Sequence, residues 1–143
     1  MTTRSGGCHC GAVRYRAEVP EPLRAGRCNC SICAMKGVAM VHIAQSDLAI
    51  EQGRDALACY QFNTRVAEHW FCRQCGIHVY HRPRSDPTIY TLNAATLDGV
   101  RVYEDFPEIR VNDGVHHMKD HGGKARLAGT LRFEQAPEEP AAE

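Results

Sequence analysis

The chain has 143 residues and a mass of 15.9 kDa, the size of one domain with room for a core. Lys plus Arg and Asp plus Glu both number 17, so a net charge of zero gives no electrostatic case for nucleic acid as a partner. The longest stretch without a charged residue, residues 87–97, falls far short of the roughly 20 that a membrane helix needs, so no membrane span is expected. Residues 1–7 show no apolar signal segment, and the expectation is a cytoplasmic protein.

Residues 12–18 alternate, with Val13, Tyr15 and Ala17 on one side and Arg14, Arg16 and Glu18 on the other, the pattern of a half-buried strand. Pro20 and Pro22 end it. A short helical turn is expected at residues 31–36. The β-prone run 38–43 reads as a buried strand, followed by strands at 47–50 and 57–62 around a turn at Gly53-Arg54-Asp55. Strands at 66–71 and 77–81 flank Cys72-Arg73-Gln74-Cys75-Gly76. Residues 88–92 form another strand, and Asp98-Gly99 reads as a hairpin turn leading into a strand at 100–103. A second helical turn is expected around 115–121 and a closing strand at 128–133. No longer amphipathic helix shows itself, so the fold class is all-β, one domain over residues 1–134. Residues 135–143, acidic and proline-bearing, read as a disordered tail.

Eight cysteines are unusual at this length. Structural disulfides need an oxidising compartment, and the tight Cys-x-Cys and Cys-x-x-Cys spacings suit a central ion better. Cys8 and Cys10, like Cys72 and Cys75, form a pair followed by glycine, which tolerates the positive φ of a metal knuckle. Together they predict one closed four-thiolate zinc site. Cys28, Cys30 and Cys33 offer three thiolates in six residues, the pattern of a centre with one open position. Arg27 and Lys36 flank this group and can offset its negative charge or attract an anionic ligand. Cys59, or a histidine, could instead close it, giving an alternative: a non-enzymatic zinc module with two closed sites and a protein partner. Cys59 otherwise reads as a small buried residue. His69, His78 and His81 read as strand-face residues, and His116, His117 and His121 as a solvated turn.

Cys8-His9-Cys10-Gly11-Ala12-Val13-Arg14-Tyr15, Cys28-Asn29-Cys30-Ser31-Ile32-Cys33, Tyr60-Gln61-Phe62-Asn63-Thr64, Phe71-Cys72-Arg73-Gln74-Cys75-Gly76, Arg82-Pro83-Arg84-Ser85-Asp86-Pro87 and Leu97-Asp98 occur in this order. Over about residues 7–106 the chain thereby resembles the glutathione-dependent formaldehyde-activating enzyme family, which also includes centromere protein V. The resemblance implies the β-tent fold and two zinc ions, one structural on Cys8, Cys10, Cys72 and Cys75, one catalytic and open on Cys28, Cys30 and Cys33. It implies a carbon–sulfur lyase with glutathione, or a related small thiol, as partner and S-(hydroxymethyl)glutathione as the adduct. The chain departs from its relatives after Phe106, where no tryptophan follows.

Overall fold

Strands dominate the computed structural model, which describes residues 1–142. β1 (Thr2–Gly7), β2 (Arg14–Val19) and β5 (Leu48–Gln52) form a small antiparallel sheet in the order β1-β2-β5. The second sheet takes β3 (Gly26–Cys28), β4 (Met40–Ala44), β6 (Leu57–Tyr60), β7 (Glu68–Cys72), β8 (His78–Arg82), β9 (Ile89–Asn93), β10 (Glu108–Asn112) and β11 (Leu127–Arg132). Their order is β11-β10-β3-β4-β9-β8-β7-β6. Every pairing is antiparallel except β3 with β10. The helices are short: α1 (Ser31–Lys36) and α2 (Val102–Asp105).

The alternation in β2 does what its pattern dictates. Val13, Tyr15, Ala17 and Val19 are buried and meet Val41, Ile43, Val79 and Leu92 from the larger sheet in one core. Tyr15 is large and fully buried, so its hydroxyl needs a partner, and it shares a hydrogen bond with Thr96 Oγ1 at 2.7 Å. A smaller apolar cluster of Cys33, Val38 and Met40, with Cys28 and Ile32 against it, seats α1 against β3 and β4 of the large sheet. These two clusters fix the places of the cysteine groups, one at the join between the sheets and one under α1.

Three expectations are corrected. Residues 100–103 are not a strand and Asp98-Gly99 does not open a hairpin. Asp105 accepts the Arg101 N–H through its carboxylate, at 2.8 Å, and returns its own N–H to the Arg101 carbonyl. This reciprocal closure coils α2 where β-prone side chains alone would extend the chain. Residues 115–121 form successive turns, not a helix, shaped by Asp113 and His117 accepting backbone N–H groups. Cys59 is exposed, near the free edge of the large sheet. Residues 135–142 carry no helix or strand and are exposed, and Glu143 lies outside the described residues.

Candidate functional site

The sulfurs of Cys8, Cys10, Cys72 and Cys75 converge, with every pair within 4.8 Å. β1 leads into the first pair and the β7–β8 hairpin carries the second. Gly11 and Gly76 take φ of +80° and +76°, the left-handed conformation that turns the backbone around sulfur. The Val13 N–H donates to Cys8 Sγ at 3.2 Å. Burial raises the Cys75 thiol, but N–H groups of Ile77 and Cys10 and the neighbouring thiols more than reverse this, holding it at about 6. Cys10, despite the Ala12 N–H, is pushed up to about 11 by burial and the same thiol neighbours, so the protons are shared within the group, and four cysteines in a closed shell can hold a metal ion once ionised.

Cys28, Cys30 and Cys33 form the second group, again within 4.8 Å of one another. Cys28 ends β3, Cys30 caps α1 and Cys33 is buried in its first turn. Contact between three thiols forces them to share protons. Cys28 and Cys33 donate to Cys30 and hold it at about 2, and the same contacts push Cys33 far up. A divalent cation is the simplest species that lets all three ionise together. Among the described residues no fourth Cys, and no His, Asp or Glu, joins this group.

Two residues that the sequence reading passed over hold the group in place. Asn29 Oδ1 accepts the N–H groups of Gly114 and Val115, at 2.8 and 3.1 Å, which ties the thiol loop to the segment after β10. Gly114 lies so close that a Cβ there would overlap Cys28 Sγ and sit 2.8 Å from Cys30 Cβ. Arg27 donates to the Gly37 carbonyl at 2.6 Å, and Lys36, whose charge favours the Cys33 thiolate as expected, also turns to two histidines.

The three thiols open onto a cleft of about 1080 Å³, ample for a tripeptide. Phe62, His69, His81, Arg84 and Asp120 are among its walls. Arg84 grips Asp120 with two hydrogen bonds of 2.8 and 2.6 Å, joining the β8–β9 loop to the turns after β10 at the rim. His116 pairs with Asp113 on the surface, and His117 reaches the cleft.

His69, His78 and His81 are buried, which a strand-face reading did not bring out. His69 stands directly across from His81 in the β7–β8 pairing, and their rings stack at 5.2 Å. The signal lies in the spacing: His69 is three residues before Cys72 and His78 three after Cys75, so folding the knuckle brings them together.

The model of the family described as glutathione-dependent formaldehyde-activating enzyme matches residues 3–113, somewhat more than the stretch legible in the motifs. A Halomonas elongata protein, named provisionally as such an enzyme, is 36% identical over 78 residues, 49% of this chain and 50% of that protein. The chain thus matches about half the length of that relative. A crystal structure of a Rhodobacter sphaeroides protein superposes with a TM-score of 0.68 at 44% identity, over 70% of this chain and 93% of that one. The cysteine-stapled, mainly β architecture is the one the motifs imply, and the chain belongs to the glutathione-dependent formaldehyde-activating enzyme family.

Proposed function

We propose that the chain is a small zinc enzyme that adds a low-molecular-weight thiol, glutathione foremost, to formaldehyde and, in reverse, cleaves the carbon–sulfur bond of S-(hydroxymethyl)glutathione. The observation that carries this reading is the convergence of three thiols, Cys28, Cys30 and Cys33, on the wall of a cleft of tripeptide size. Both cysteine groups suit zinc, which favours thiolates in a tetrahedron. Cys8, Cys10, Cys72 and Cys75 fill all four positions and serve the fold. Cys28, Cys30 and Cys33 fill three. Bound there, zinc would supply the positive charge that keeps a substrate thiol ionised at neutral pH.

The chain's own residues provide placement. Asn29 and Gly114 fix the thiol loop, and the Arg84–Asp120 pair holds the rim that borders the tripeptide. A thiolate and an aldehyde held together in the cleft react as one unit, without the entropy cost of a chance meeting. No nucleophile from the protein is needed, and Cys59 belongs to neither sulfur group.

Two-dimensional exchange NMR of glutathione, formaldehyde and their adduct tests the proposal, since it reads catalysed exchange above the spontaneous rate. Zinc-loaded protein at low concentration is expected to raise the exchange rate, and Cys30→Ser to abolish the increase. Equal rates with and without the native protein would overturn it.

A further inference from the structure

Buried polar atoms without a partner are rare in a folded domain, and among the described residues three of the four lie in one place. Among the described residues four such side-chain atoms occur: Arg4 Nε, His69 Nε2, His81 Nδ1 and Thr91 Oγ1. The last three belong to one row, because His69 faces His81 across β7–β8 and His81 faces Thr91 across β8–β9. All three residues line the cleft that holds Cys28, Cys30 and Cys33. His69 and His81 are each 5% exposed and Thr91 1%.

The tautomer of His69 follows from its neighbour. Lys36 Nζ lies 3.1 Å from His69 Nδ1 and 3.4 Å from His78 Nε2. An ammonium only donates, so both ring nitrogens accept. The neutral His69 ring therefore carries its proton on Nε2, the atom left without a partner. The three imidazoles do not converge on a common point as the cysteine groups do, and a cation already sits against two of them, so the cluster is no metal site. Nor is it spare core, since an apolar trio would cost less to bury.

Resting on the thiol–aldehyde reading given above, we propose that the His69–His81–Thr91 row is the subsite for the oxygen of a small aldehyde, with His69 Nε2–H as its hydrogen-bond and proton donor. Lys36 is the positioning residue that holds this tautomer. As the substrate thiolate bonds to the carbonyl carbon, the C=O π pair moves to oxygen. The oxygen takes the Nε2 proton of His69, and the Lys36 ammonium gives a proton to Nδ1. Nδ1 then hands its proton back to Lys36, and water in the cleft supplies one to Nε2, so the ring regains its first tautomer. That proton balances the one the thiol lost on binding. Burial, reinforced by Lys36, holds His69 at about 4 and His81 at about 2, so both rings are neutral at pH 7. A neutral imidazole is a competent donor to a carbonyl.

The test combines the exchange assay with nitrogen-15 spectra of the histidine rings in zinc-loaded protein. His69→Leu is expected to lower the catalysed rate constant roughly 10²-fold or more, the usual loss for one oxyanion donor, with the glutathione KM nearly unchanged. His69→Gln, which keeps a donor, recovers part of it, and the isosteric Thr91→Val loses about tenfold. At pH 7 the spectra are expected to show His69 protonated on Nε2, and a mixture of tautomers in Lys36→Met. If the native protein accelerates exchange and His69→Leu does so equally, the subsite is refuted and the thiol–aldehyde reading stands. If the native protein does not accelerate exchange, both fall. A His69 protonated on Nδ1, or on both nitrogens, refutes the assignment whatever the rates.

Discussion

Acid should unfold this domain through its buried histidines. Burial first, and Lys36 second, hold His69 at about 4, His78 at about 3 and His81 at about 2, against 6.5 for a free imidazole. The unfolded chain binds protons below pH 6.5 that the folded chain refuses, so stability is full above that pH and falls below it. Each refused proton is worth 1.36 kcal/mol per pH unit, so at pH 5 each histidine costs about 2 kcal/mol and the three about 6 together. A domain is stable by only about 5–15 kcal/mol, so this loss is large. Urea unfolding from pH 7.5 to 4.5 measures it. His81→Leu lowers the slope of unfolding free energy against pH by about 1.4 kcal/mol per unit below pH 6, because one refused proton is gone. Loss of thiolate-bound metal in acid is common to both chains and cancels in the difference. Parallel slopes for native protein and His81→Leu would refute the reasoning.

Cys75→Ser should bind one equivalent of zinc instead of two and melt at a clearly lower temperature, since a structural zinc contributes up to roughly 10–16 kcal/mol of apparent binding energy in finger peptides; metal analysis and thermal unfolding check this, and an unchanged melting temperature counts against the closed site. Gly114→Ala forces a Cβ onto Cys28 and Cys30 and should weaken metal at the three-thiol group about 10–100-fold, while the four-thiol group keeps its affinity, as a chelator competition would show. Cys59→Ala removes an exposed side chain outside both groups and should retain both equivalents, with stability within about 0.5 kcal/mol of the native chain.

The legible parts of the sequence were those governed by local chemistry. Alternation at Val13, Tyr15 and Ala17 marked a half-buried strand because a two-residue period has one buried solution there. The cysteine pairs announced their sites because a knuckle is built within four residues and finished by Gly11 or Gly76. β1 escaped notice because Thr2, Thr3, Gly6 and Gly7 carry no apolar period; its six-residue ladder with β2 makes it a strand. β3 and β10 are short and mostly polar, and their parallel pairing is decided by residues some eighty positions apart. The histidine row needed the register of three strands, which no single window of sequence contains. Proximity in sequence makes Lys36 an aid to the thiols, but its contact with His69, 33 residues distant in the chain, needs the fold.

The central claim is that the three-thiol group leaves one position for the sulfur of a substrate. Cobalt(II) in place of zinc reports it, through the intensity of sulfur-to-cobalt charge transfer. Glutathione titrated into the cobalt protein should raise that intensity to a saturating level, with no change in Cys30→Ser, whose four-thiol site is intact. A spectrum indifferent to glutathione in the native protein would contradict an open centre and leave the second sulfur group a closed, structural one.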